Sequence, residues 1–276
     1  MKSLIDQADE IPVTLVVAIA YVTLAFLTGL FGGTELMLDE YGAMTPLQVS
    51  EGEWWRLLAA AFLHGNLVHL GFNTWALVAL GPAVERALGS LRMLSLYVVS
   101  AFGGHLACCL VYAPGQSVVG GSGALFGIMG AIVAWQMQKA KSPLAFLDYE
   151  GPRRILGLIA VNIVLGLLVP YVSNTAHVGG LIAGFLVTYQ WLVPSRETGA
   201  AGLRNHFRLA IAALFASITF HALMPVTRYD WLWNRHVTET DPDRRIRLRN
   251  AALMSWRGRT TITPADLLEF ERLELR

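Results

Sequence analysis

Ser122 stands in the run Val119-Gly120-Gly121-Ser122-Gly123-Ala124-Leu125-Phe126-Gly127, where an uncharged loop gives way to a long apolar stretch. A serine hydroxyl becomes a nucleophile when a neighbouring base takes its proton, and neutral imidazole can be that base. His177 offers one, two apolar stretches further on, at the start of Thr175-Ala176-His177-Val178-Gly179-Gly180. Upstream, His69 and Asn73 are four residues apart, a turn apart on one helix face. Both side chains can donate hydrogen bonds to an oxyanion, so the chemistry these four residues suggest is acyl transfer by a serine–histidine pair. The soluble-hydrolase elbow Gly-x-Ser-x-Gly is not met, because Ala124 stands two places after Ser122. No Asp or Glu falls at matching depth on the inner apolar stretches, so a dyad is expected and not a triad. Phe126, four residues after Ser122 and on the same face, is placed to stack on the imidazole.

Serine, histidine and asparagine in apolar helices commonly do no more than hydrogen-bond a neighbouring helix. The functional reading therefore depends on whether the surrounding elements bring the four residues together.

Those elements belong to a membrane. Apolar residues make up 54% of the chain and charged residues 15%, with a mean hydropathy of +0.49. Soluble domains carry roughly 25% charge. Seven apolar stretches read as spans: residues 11–31, 66–88, 91–112, 122–138, 155–171, 175–193 and 209–226. With the N-terminus inside, the short inner segments collect Lys2, Arg86, Arg92, Lys139, Lys141, Arg153, Arg154, Arg196, Arg204 and Arg208, whereas the outer loops between spans hold only Arg56. The first span has no small-residue cleavage pattern and reads as a retained anchor.

Parity then aligns the candidates. The second, fourth and sixth spans all run from outside to inside, and His69, Asn73, Ser122 and His177 each fall in the first turn or two of one of them. Gly123 and Gly127 on the fourth span, and Gly180 and Gly184 on the sixth, form Gly-x-x-x-Gly pairs that let two backbones approach closely. His177, Gly180 and Gly184 share one face.

Other polar positions read as structural. Cys108 and Cys109 are adjacent on one helix, cannot bridge each other, and read as packing residues and not metal ligands. His105 and Asn162 read as packing groups. Glu85 lies about 18 Å along its helix from Asn73 and reads as ordering the inner loop with Arg86 or Arg92. The outer segment 32–63 ends in Trp54-Trp55-Arg56, which suits an anchor in the headgroup layer or a half-submerged structure that shapes access to a site. The N-terminal tail has no basic run, so nucleic acid is not an expected partner.

The series Trp55-Arg56, His64 with His69-x-x-x-Asn73, Gly81-x-x-x-Glu85-Arg86, Gly120-x-Ser122-Gly123 and Ala176-His177-x-x-Gly180-x-x-x-Gly184 resembles the rhomboid intramembrane serine proteases over roughly residues 54–193. The resemblance implies an all-α polytopic membrane fold with a six-helix core, Ser122 as nucleophile and His177 as base. It also implies His69 and Asn73 as oxyanion donors, and cleavage of membrane-protein substrates near the outer edge of their transmembrane segments. Gly120, Gly123, Phe126, Gly180 and Gly184 would support the site. Family members often carry tyrosine where this chain has Phe126; stacking survives the change and the phenol hydroxyl does not. The subset of the family with an extra C-terminal helix would match a seventh span at 209–226.

The expected organisation is a cytoplasmic tail (1–10), the catalytic core (11–193), a linker with the seventh transmembrane helix (194–226) and a polar tail (227–276). Its expected home is the lipid bilayer of a bacterial inner membrane, N-terminus cytoplasmic and site open to the outer face. The chemistry calls for no cofactor and no metal. A catalytically silent relative that binds transmembrane clients would be expected to lack Ser122 or His177. A small transporter would want ionisable groups near the midplane.

Overall fold

The computed structural model describes residues 5–31, 37–50, 52–112, 115–139, 147, 150–169, 171–192, 236 and 239–257. Among them the architecture is helical, with one isolated antiparallel bridge, Met44 to Val118. The long elements are α1 (Pro12–Leu27), α4 (Leu67–Leu88), α5 (Ser90–Val111), α6 (Ser122–Lys139), α7 (Glu150–Leu168) and α8 (Asn174–Leu192). Between α1 and α4 lie two short α-helices, α2 (Pro46–Ser50) and α3 (Arg56–Ala59), and a 3-10 turn at Ala60–Phe62. Beyond α8 the described chain resumes in α9 (Pro242–Arg257). The expected seventh span, 209–226, lies outside the described residues.

α4, α5 and α7 are long and apolar enough to cross a membrane by length and composition alone, and α1 is a shorter apolar helix. Their large apolar side chains point outward, among them Phe72, Trp75, Leu91, Val164 and Leu168. α6 is different. Every residue from Gly123 to Ala131 is buried, so this helix runs through the centre of the bundle. Its closest partner is α8, with α5 packed against both. Glycine makes that closeness possible. A Cβ on Gly180 would overlap the Gly123 carbonyl oxygen, and one on Gly184 would overlap that of Gly127. A Cβ on Gly104 of α5 would come within 2.7 Å of the Ala176 carbonyl oxygen. α6, which carries the candidate nucleophile, is therefore shielded from lipid over residues 123–131, whereas α8 buries its glycine face and leaves Val178 and Ile182 exposed on the other.

The structure corrects one polar expectation and adds detail to two others. Glu85 does not pair with Arg86 or Arg92. Its carboxylate accepts from Val13 N at 2.8 Å, Thr14 N at 2.8 Å and Thr14 Oγ1 at 2.7 Å, while Arg86 pairs with Glu10. The first turn of α1 has unpaired N–H groups and the positive end of the helix dipole, so a buried carboxylate is well satisfied there. Asn162 does not join helices: its amide donates to Leu158 O, one turn back on its own helix, at 2.8 Å. His105 is more than packing, since its Nδ1 lies 2.8 Å from Leu57 O and ties α5 to α3.

The Trp54-Trp55-Arg56 cluster divides into two roles. Trp54 and Trp55 are 60% and 51% exposed, as an interfacial anchor would be, but Arg56 is only 6% exposed. Its guanidinium donates to Asp39 O at 2.7 Å, Ala43 O at 2.9 Å and Glu53 Oε2 at 2.5 Å. The arginine folds the segment between α1 and α4 onto itself and does not reach for a headgroup. The two cysteines are buried; Cys108 Sγ lies 3.4 Å from Ser173 Oγ, and Cys109 Sγ lies 3.7 Å from Met44 Sδ.

Candidate active site

Ser122 is the first residue of α6 and His177 lies in the first turn of α8. Because α6 and α8 touch at their glycine faces, the two side chains meet: His177 Nε2 is 2.9 Å from Ser122 Oγ. The ring of Phe126 lies parallel to the imidazole, centroids 4.1 Å apart and planes at 10°. His177 Nδ1 has no hydrogen-bond partner among the described residues. The imidazole is thus oriented by its helix and by the Phe126 stack, with no carboxylate behind it. His177 and Phe126 are buried, whereas Ser122 is half-buried, so the hydroxyl stays within reach of a substrate and of water.

His69 arrives from α4. Asn66 caps that helix, its Oδ1 accepting from His69 N at 2.8 Å. The imidazole of His69 lies against the loop that leads into Ser122. A Cβ on Gly120 would come within 2.5 Å of the ring, and Gly120 has φ +122, a conformation open to glycine and strained for other residues. Gly120 therefore lets the histidine and the loop share the same space. Asn73, a turn further along α4, is buried, and its amide donates to His69 O at 3.0 Å. That bond uses one of its two amide hydrogens and leaves the other. No hydrogen bond joins Asn73 to Ser122 among the described residues.

Behind the loop is a layer that residue spacing does not reveal. Tyr21 and Tyr97, from α1 and α5, have their hydroxyls 2.7 Å apart, and Tyr97 donates to Ala61 O at 3.3 Å. A Cβ on Gly121 would overlap the Tyr21 hydroxyl. His64 fits edge-on between the rings of Tyr21 and His69, at 4.7 and 5.1 Å. Burial, reinforced by His69 beside it, pushes the His64 imidazole down to about 3, so it stays neutral. The only sequence signal for Tyr21 and Tyr97 is a phenol in the middle of an apolar helix, which by itself names no partner.

Among the described residues no group of His, Cys, Asp and Glu is arranged to hold a metal.

Comparison with known proteins agrees with this architecture. A model of the Rhomboid domain matches residues 51–193. Rhomboid protease GluP of Bacillus subtilis (strain 168) is 36% identical over 201 residues, covering 72% of this chain and 38% of that protein. RHOMBOID-like protein 5 of Arabidopsis thaliana is 36% identical over 170 residues, covering 59% and 52%. Putative rhomboid protease YdcA of Bacillus subtilis (strain 168) is 31% identical over 143 residues, covering 52% and 70%. The chain spans 38% of the length of GluP and 52% of RHOMBOID-like protein 5. With the family model, these relatives and the apolar helices in agreement, this chain is an integral membrane protein and belongs to the rhomboid family.

Proposed function

We propose that this chain is an intramembrane serine endopeptidase that hydrolyses peptide bonds in or near the transmembrane segments of membrane-protein substrates. The observation that carries the reading is the 2.9 Å approach of His177 Nε2 to Ser122 Oγ. Two of the similar proteins, GluP and YdcA, are named as proteases, which supports the same class of reaction.

In this reading His177 Nε2 takes the proton of Ser122 as Oγ bonds to the scissile carbonyl carbon. The carbonyl oxygen becomes an oxyanion, met by the Ser122 backbone N–H, the side chains of His69 and Asn73, and the positive end of α6. The tetrahedral centre collapses, the C–N bond breaks, and His177 gives its proton to the departing amine. Water then enters and His177 takes one of its protons. The hydroxide attacks the acyl carbon, and Ser122 recovers a proton as the carboxylate product leaves. Among the described residues His177 has no carboxylate partner, which fits a dyad; the Phe126 stack holds the ring in its place.

The lysine and arginine distribution supports an N-terminus in the cytoplasm and a site that opens toward the outer face; that two of the similar proteins come from a bacterium supports a bacterial inner membrane. The test compares wild type, Ser122→Ala and His177→Ala, purified into liposomes with a substrate that has one transmembrane helix weakened near its outer end. Cleavage by wild type alone is expected. Equal cleavage by all three would overturn the reading.

A further inference from the structure

α6 and α8 run side by side in the same direction: Gly180 abuts Gly123, Gly184 abuts Gly127, and Gln138 Nε2 donates to Tyr189 O at 3.3 Å. α4 runs with them, since His69 near its start lies against Gly120. Ser122 and His177 therefore mark one end of the bundle, and Leu88, Lys139 and Leu192 mark the other.

At that second end the three helices do not close on one another. Ala83 and Ala87 of α4, Ile132 and Trp135 of α6 and Thr188 of α8 line a cavity of about 120 Å³. Ala83, Ala87 and Trp135 are exposed at the surface of the bundle, so the cavity opens sideways, toward lipid. An apolar cavity of about 150 Å³ holds a benzene ring, and this one has room for a few methylene groups. One polar group on its wall is unsatisfied. Thr188 is fully buried, and its hydroxyl has no hydrogen-bond partner among the described residues, not even the carbonyl one turn back that helical threonines commonly use. A buried hydroxyl without an acceptor is costly, so an occupant that brings an acceptor is favoured over bare hydrocarbon.

Two cations stand at this end, each on an indole. Lys139 Nζ lies 4.0 Å from the centroid of the Trp135 ring, which itself lines the cavity. The guanidinium carbon of Arg92 lies 6.0 Å from the centroid of Trp191, about a turn beyond Thr188. Both cationic side chains are exposed, and among the described residues neither pairs with a carboxylate. The described acids of this end are engaged elsewhere: Glu85 with α1, Glu10 with Arg86, and Glu150 with Arg154. Tryptophan and basic residues mark helix ends in membranes generally. Here they frame a cavity with an orphan donor in its wall.

We propose that this groove binds one anionic glycerophospholipid of the bilayer. Its phosphate lies at Lys139 and Arg92, an ester carbonyl accepts from Thr188, and the start of one acyl chain fills the cavity against Ala83, Ala87 and Trp135. Lys139 and Leu192 lie about 6 Å along their helices from Trp135 and Thr188. The glycerol between a phosphate and an ester carbonyl can span that distance. Basic pockets between transmembrane helices select anionic headgroups in this way. The groove is at the opposite end of the bundle from Ser122, and the inference does not depend on catalysis.

The test uses the full chain in detergent and native mass spectrometry with palmitoyl-oleoyl phosphatidylglycerol and phosphatidylcholine, which differ in headgroup alone. Wild type is expected to retain one phosphatidylglycerol roughly fivefold or more over phosphatidylcholine. Lys139→Gln/Arg92→Gln, both changes on the surface, is expected to bring that preference to within about twofold. Thr188→Val is expected to keep the preference and weaken retention about threefold. Ala87→Phe, which fills the cavity from the lipid side, is expected to abolish retention while the protein stays folded by thermal unfolding. Equal retention of the two lipids by wild type, or an undiminished preference in the double variant, would overturn the proposal. Full retention by folded Ala87→Phe would also overturn it, because the lipid would then sit elsewhere. A dimer mass that disappears in Ala87→Phe would assign the groove to a second copy of the chain and overturn it as well.

Discussion

The carbonyl oxygen of Gly123 occupies the space that a Cβ on Gly180 would need, so α6 and α8 meet backbone to backbone just inside the Ser122–His177 contact. Gly180→Ala must push the helices apart, and overpacking of this kind costs about 1–3 kcal/mol. The 2.9 Å approach of the two side chains would lengthen with it. Gly180→Ala is expected to lower the unfolding temperature in detergent and to reduce cleavage at least tenfold. Unchanged values of both would refute the account of how α8 is held.

Phe126 is the one ring stacked on His177 among the described residues. Aromatic pairs of this sort contribute about 0.5–1.5 kcal/mol. Phe126→Ala is therefore expected to slow modification of Ser122 by a fluorophosphonate roughly 2- to 10-fold, while Phe126→Tyr keeps the wild-type rate. Equal rates for alanine and wild type would show that the stack does not orient the imidazole.

His69 and Asn73 are proposed as oxyanion donors, and losing such a donor typically costs about 3 kcal/mol of transition-state stabilisation. Alanine at either position should lower kcat on the order of 100-fold with little change in KM. Gly120→Ala should resemble His69→Ala, because its methyl group would fall on the His69 ring and its φ of +122 would be strained. A rise in KM with unchanged kcat would assign these residues to substrate binding instead.

Glu85 is remote from the chemistry, and its carboxylate accepts three hydrogen bonds from the first turn of α1. Glu85→Ala is expected to destabilise the protein by about 2–4 kcal/mol, since it strands buried donors. The fraction that remains folded should label at Ser122 with the wild-type rate. A selective loss of labelling without a stability change would contradict a structural role.

The residues that spacing can relate were legible before the structure. Ser122 and Phe126 share a face because they are four apart, and His177 aligns with Gly180 and Gly184 for the same reason. Span parity put Ser122, His177, His69 and Asn73 at one depth. Contacts between distant segments were not legible. Nothing in the spacing of Glu85 names Thr14, 71 residues away, as its partner in place of the adjacent Arg86. Nor does the Trp-Trp-Arg run announce that the arginine turns inward to Asp39 and Ala43 while the indoles stay outside. The Tyr21–Tyr97 pair behind the loop belongs to the same class: each phenol is a lone polar group on its own helix, and only packing pairs them. Periodicity reports which face is buried, and tertiary packing decides against what.

The central claim is that His177 activates Ser122. Its most direct test treats wild type and His177→Ala in membranes with a fluorophosphonate and locates the adduct by peptide mass spectrometry. The expected result is an adduct on Ser122 in wild type and its loss in His177→Ala, with both proteins folded by thermal unfolding. An adduct on a different serine, or equal modification of Ser122 without His177, would contradict the dyad.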